Sequence, residues 1–135
     1  MLTLSLAIKS RFNDVEVIPN YPCDDEGIPT STAGGDKGDI ECYEGRRGIL
    51  IEVTMTEGST QTRVEVWPIA RHLEDFKLKI NDSMCYFIAP TIFIDSQRQI
   101  NWLVTETRNT SYLKIIAKTI NDFVNLLEEQ TILYS

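Results

Sequence analysis

Histidine occurs once and cysteine three times in the 135 residues. Cys23, Cys42 and Cys85 include no C-x-x-C pair and His72 stands alone. The four closely spaced thiolate or imidazole ligands of a structural zinc site are therefore missing. An odd cysteine count also excludes a closed disulfide framework and suits a reducing, cytoplasmic compartment. No apolar run nears the ~20 residues needed to span a bilayer. The apolar start from Met1 to Phe12 lacks a basic leading segment and a small-residue cleavage site, so it is expected as a core-packing helix rather than a signal peptide. Positive charge is scarce as well: 13 Lys and Arg stand against 20 Asp and Glu, a net charge of −7. Residues 1–45 hold 3 basic and 9 acidic side chains, and residues 46–135 hold 10 and 11. A chain this acidic is a poor stand-alone binder of phosphate backbones. Its acidic excess reads either as a solvated face or as a cation site.

What is present suits one globular domain. The 42% hydrophobic and 24% charged content is ordinary, and the length allows one core but not two. Leu2 to Phe12 is expected as a helix, and Val15 to Ile18 as a short strand stopped by Pro19. Residues 19–38, rich in Pro, Gly, Asp, Ser and Thr, read as a long loop of the kind that carries function. Residues 38–56 read as a hairpin turning at Glu44-Gly45-Arg46-Arg47. Gly58-Ser59-Thr60 offers an N-cap for a helix from about Gln61 to Leu78, kinked or broken at Pro68. Met84 to Ala89 is a continuous apolar run of the buried-strand type. Asp95 or Ser96 is placed to cap a helix through Leu103, Tyr112 to Ala117 reads as a strand, and Thr119 caps a closing helix. This order is that of a mixed α/β domain, a central sheet flanked by helices.

The hairpin gathers carboxylates. If Tyr43 and Gly48 flank its turn, Asp39 lies opposite Glu52, and facing residues on paired strands have Cβ atoms roughly 4.5–5.5 Å apart. Alternation puts Asp39, Glu41, Glu52 and Thr54 on one face and Ile40, Cys42, Ile51, Val53 and Met55 on the other. Facing carboxylates repel unless something positive lies between them, and a divalent cation held by hard oxygen ligands is one remedy. A solvated acidic hairpin face is the other reading of the same spacing. On the next helix Gln61 and Glu65 are i,i+4 neighbours and His72 follows two turns later. Glu65 and His72 either overhang the carboxylate pair or belong to solvent and a polar network. Arg63 and Arg71 are surface or phosphate-contacting charges.

Several segments in fixed order resemble the catalytic domain of AlwI-like type IIS restriction endonucleases and their site-specific nicking relatives. They are Asp39-Ile-Glu, Leu50-Ile-Glu52-Val-Thr54, Gln61 … Glu65-Val-Trp-Pro68-Ile-Ala-Arg71-His72-Leu73 and Phe87-Ile-Ala-Pro90. Upstream, Pro19-Asn-Tyr21 and Asp25-Glu-Gly-Ile-Pro-Thr30 fit the same pattern, so the resemblance runs from about residue 15 to 130. It implies a PD-(D/E)XK restriction-endonuclease-like core with Asp39 and Glu52 as Mg²⁺ ligands, Mn²⁺ substituting, and Glu65 and His72 as further catalytic residues. Phosphodiester bonds of double-stranded DNA would be hydrolysed to 5′-phosphate and 3′-hydroxyl ends. Two departures stand out: Thr54 occupies the usual lysine position, with Lys37 one possible substitute, and residues 1–13 lack the acidic residue the wider fold often places on its first helix. The resemblance also implies a bacterial setting, a single cleavage domain over residues 1–135, target recognition supplied by another domain or subunit, and a homodimer or heterodimer for double-strand cutting. The departures motivate an alternative, a non-catalytic α/β interaction domain; a structure-selective repair nuclease is a third reading.

Overall fold

The run Ser83–Ala89 is buried at every position, which a strand achieves only when helices cover both faces of its sheet. A computed structural model describes residues 2–20 and 39–135. Its order is α1 (Leu2–Arg11), β1 (Glu16–Pro19), β2 (Ile40–Glu44), β3 (Arg47–Val53), α2 (Gly58–Lys79), β4 (Ser83–Ala89), α3 (Ile94–Thr107), β5 (Ile115–Thr119) and α4 (Ile120–Glu129). The five strands lie in sequence order in one sheet. β1, β2 and β3 pair antiparallel, while β3, β4 and β5 pair parallel. The expected mixed sheet flanked by helices is the observed architecture. The long-loop reading of residues 19–38, the upstream motif from Tyr21 to Thr30, Lys37 and Cys23 fall outside the described residues, apart from Pro19 and Asn20.

Alternation along the strands divides the core. Ile40, Cys42, Ile49, Ile51, Met84, Tyr86 and Ile88 join Ile8 of α1 and Phe123, Leu126 and Leu127 of α4. Leu50, Cys85, Phe87 and Ile115 join Val66, Ile69, Leu73 and Phe76 of α2 and Ile100 and Leu103 of α3. The parallel crossovers β3–α2–β4 and β4–α3–β5 advance in one direction across the sheet. A constant crossover hand therefore sets α2 and α3 side by side on one face, leaving the other to α1 and α4. Among the described residues no helix is long and apolar enough to cross a membrane.

Local chemistry explains where boundaries moved. The hairpin register is as expected, with Tyr43 facing Gly48. Gly45, at φ 61, and Arg46 form a two-residue turn closed by the Glu44–Arg47 pair, the kind of tight link that favours glycine first. α2 starts at Gly58, not near Gln61, with Glu57 at the N-cap and no side-chain cap bond. It runs unbroken through Pro68; the carbonyl that the proline leaves without its helical donor belongs to Val64, an exposed residue. α3 is capped by Phe93, not by Asp95 or Ser96, because Asp95 pairs with Arg98 and Ser96 bonds Thr62 across to α2. β5 begins at Ile115 rather than Tyr112, since Thr107 Oγ1 accepts the Leu113 N–H and holds the preceding residues in a loop. Thr119 caps α4 as expected, accepting from the Asp122 N–H at 3.1 Å.

Gly48 marks where α2 and its C-terminal turn press closest on the sheet. A Cβ there would meet Ile80 Cγ2 at 2.5 Å and the Phe76 ring at 2.7 Å. Gly48→Ala is expected to cost about 1–3 kcal/mol through overpacking. Urea denaturation should show a lower midpoint at unchanged slope; an unchanged midpoint would show that the Phe76 contact yields freely.

Candidate active site at the end of β3

The sheet face turned toward α2 is apolar under the middle of the helix and polar at the ends of β2 and β3. Continuing the Ile40–Ile51 register by one residue sets Asp39 opposite Glu52, on the face that alternation gives to Leu50 and Thr54. Asp39 is clamped from both sides. Its carbonyl accepts the Asn20 N–H at 2.9 Å, and its Oδ2 accepts the Val53 N–H at 2.7 Å. Burial raises its pKa, as does the Glu65 charge, while the Val53 N–H and His72 act to lower it.

Two site residues come from α2. Glu65 and His72 are seven residues apart, about 20° out of phase on a helix of 3.6 residues per turn, so they share a face only because α2 continues through Pro68. His72 Nδ1 lies 2.7 Å from Glu52 Oε1, both side chains nearly enclosed. Glu65 Oε1 accepts the Thr54 hydroxyl at 2.9 Å. Glu52 has a pKa pushed up to about 7, chiefly by burial and further by Asp39 and Glu65, against the hydrogen bond and charge of His72. The negative field of Glu52 and Asp39 adds to burial in raising the Cys85 thiol on β4. All four expected site residues, Asp39, Glu52, Glu65 and His72, thus converge on one place and bear on one another's charge.

Other polar residues sort differently. Glu41 shares the strand face, yet its carboxylate is taken by Asn20, Tyr43 and Lys79. Burial acts to raise its pKa, but these hydrogen bonds outweigh it and leave it lowered. Gln61 does not overhang the carboxylates. Fully buried, it donates to the carbonyls of Thr56 at 3.1 Å and Thr91 at 2.8 Å and accepts from the Phe93 N–H at 2.9 Å. It therefore staples the loops that follow β3 and β4. Its i,i+4 relation to Glu65 is visible in the sequence, but the staple depends on partners about 30 residues away. Thr56 carried no signal of its own.

Among the described residues no three Asp, Glu, His or Cys side chains are gathered closely enough to hold a metal ion by themselves. Mg²⁺ is commonly held by only one or two carboxylates, with water and substrate phosphate completing its shell. Two facing carboxylates with raised pKa values, Asp39 and Glu52, fit such a cation, because it would offset the burial that chiefly raises them and the neighbouring carboxylate charge that adds to it.

The fold is a mixed α/β sheet domain with a polar cluster at the end of β3, and comparison gives its kin. Residues 1–126 match the AlwI restriction endonuclease family, and the chain belongs to that family. A solved relative is the small subunit of the heterodimeric restriction endonuclease R.BspD6I, 26% identical, with a TM-score of 0.79 over 93% of this chain. The chain spans 64% of that subunit's length. None of the curated proteins is a recognisable relative.

The raised Glu52 pKa has a defined consequence for the metal-free protein. A carboxyl titrating near 4.5 when unfolded and about 7 when folded keeps its proton in the folded state across that window. Its stabilising contribution is therefore full below about pH 4.5 and is lost as pH rises toward 7. Denaturation beside Glu52→Gln at about pH 5 and about pH 8 should show the wild type losing ground to the variant at the higher pH. A pH-independent difference would mean that Glu52 titrates normally.

Proposed function

We propose that the domain is a Mg²⁺-dependent DNA endonuclease module of a type IIS-like restriction or nicking system. The observation that carries the reading is the juxtaposition of Asp39 and Glu52 on paired strands with Glu65 and His72 brought over them by α2. Asp39 and Glu52 would hold Mg²⁺, with Mn²⁺ able to substitute; the cation supplies charge neutralisation at the scissile phosphate and a lowered pKa for water. Val53 N–H fixes one oxygen of Asp39. His72 faces Glu52 through Nδ1, where it would orient that carboxylate and contact the phosphate or take part in proton transfer. Glu65 orients the attacking water or accepts its proton. Water adds to phosphorus, the P–O3′ bond breaks, and the products carry a 5′-phosphate and a 3′-hydroxyl.

The relative of known structure is one subunit of a heterodimer, and the net charge of −7 gives little sequence-independent affinity for a phosphate backbone. Both support a cleavage domain or small catalytic subunit that acts on double-stranded DNA beside a recognition domain or subunit supplied elsewhere. Cutting both strands then needs a second active site, from a partner subunit or a second copy.

Supercoiled plasmid with Mg²⁺ or Mn²⁺ at high protein concentration tests this. Wild type is expected to yield nicked or linear product, and Glu52→Ala or Asp39→Ala to reduce the rate by about 100-fold or more. Equal cutting by wild type and Glu52→Ala would remove the assignment. A wild type that neither cuts nor binds Mg²⁺ would instead leave the non-catalytic interaction domain.

A further inference from the structure

Thr54 stands two residues after Glu52, where the resemblance leads one to expect a lysine, and its side chain is buried at 8% exposure. Its hydroxyl has three neighbours: Glu65 Oε1 at 2.9 Å, Thr56 Oγ1 at 2.8 Å and the Thr56 backbone nitrogen at 3.1 Å. Hydrogen-bond valence sets the direction of this small network. The Thr56 N–H can only donate, and an ionised Glu65 can only accept. The single Thr54 proton therefore goes to Glu65, and the Thr56 hydroxyl fills the remaining contact by donating to Thr54. Hydroxyls linked donor to acceptor in this way polarise one another.

The network is anchored at its far end. Gln61 holds the Thr56 carbonyl and ties it to the loop after β4 through Thr91 and Phe93. The Thr54 N–H is bonded to the Ile88 carbonyl at 3.0 Å. Gln61 precedes Glu65 by one helical turn, so a closed circuit runs from Glu65 through Thr54, Thr56 and Gln61 back along α2. A glutamate on a helix surface would otherwise sample several rotamers, and this circuit selects one of them.

We propose that Thr54 is the positioning residue for Glu65. In place of a charged lysine, this site uses a neutral hydroxyl to hold the helix carboxylate beside the Asp39–Glu52 pair. The inference rests on the nuclease reading above. Thr54 orients, and Glu65 meets the water.

The test compares Thr54→Val, which removes the hydroxyl at similar shape, with Thr54→Ser, which keeps it, in the presence and absence of Glu65→Gln. Plasmid cleavage should show kcat falling about tenfold in Thr54→Val at unchanged KM, the scale expected when a reacting group is loosened but not removed. Thr54→Ser should stay near wild type. In the Glu65→Gln background Thr54→Val should cost less than about twofold more, since a residue acting through another loses its effect when that partner is gone. The proposal is overturned if Thr54→Val cuts normally, if Thr54→Ser falls as far as Thr54→Val, or if the two losses multiply. Urea denaturation of the same four-protein cycle reads the contact without any activity. A wild type that does not cut, with Thr54 and Glu65 still coupled in stability, would fail the nuclease reading and the catalytic role with it, leaving a structural contact.

Discussion

Burying a carboxylate is costly unless a donor or a positive group meets it, and at the end of β3 three carboxylates are met by one imidazole, one peptide N–H and one hydroxyl. The compensation is incomplete. Asp39 and Glu52 both have raised pKa values, in each case with burial as the first cause and a neighbouring carboxylate adding to it. Elsewhere on the same face the chain resolves the same problem fully: Glu41 receives three donors and its pKa is lowered. Two buried glutamates, eleven residues apart and on paired strands, thus have opposite electrostatic fates. Glu41 is a structural anchor between β2 and the end of α2. Glu52 retains an uncompensated burial penalty with carboxylate repulsion added to it, the condition that suits a cation or a proton.

The sheet makes this difference possible. Parallel pairing of β3 with β4 demands a crossover helix, and α2 returns antiparallel over β3, meeting it at Thr54 through Glu65, at Glu52 through His72 and at Gly48 through Phe76. One helix therefore sets the depth of the core and the geometry of the site together. The two ends are locked separately: Phe76 and Ile80 press on Gly48 where no Cβ fits, while Gln61 binds three main-chain groups at the opposite end. Between these fixed points Glu65 and His72 have little freedom to move away from β3.

Much of this geometry could be read from residue spacing because it depends on local rules. The hairpin register follows from a tight turn at Gly45, and once Tyr43 faces Gly48 the opposition of Asp39 and Glu52 is arithmetic. The face shared by Glu65 and His72 follows from helical period alone. What spacing could not show was whether these two residues face solvent or the carboxylates, since both arrangements have the same pattern; the resemblance favoured the second, and the hydrogen bonds to Glu52 and Thr54 realise it. Of the kink or break expected at Pro68, the break does not occur: propensity penalises an interior proline without regard to the packing that holds the rest of the helix on the sheet. The Asp95 and Ser96 caps failed for a tertiary reason, each side chain having a partner in Arg98 or Thr62. Gln61 and Thr56 were opaque because their roles lie in contacts between loops distant in sequence.

The acidity of the chain and the design of its site are consistent with one division of labour. Nucleic-acid affinity scales with the number of phosphates neutralised by Lys and Arg, and three of the described basic side chains are already paired internally, Arg47 with Asp82, Lys79 with Glu41 and Arg98 with Asp95. On the proposed nuclease reading, a domain with this charge balance would depend on a partner for residence on DNA and on a metal ion for local attraction to the phosphate. Under the proposed reading, the repulsion of a net −7 surface would keep encounters with DNA brief unless a recognition subunit raised its local concentration. Tethering to such a subunit would then confine cutting to places where recognition has already occurred.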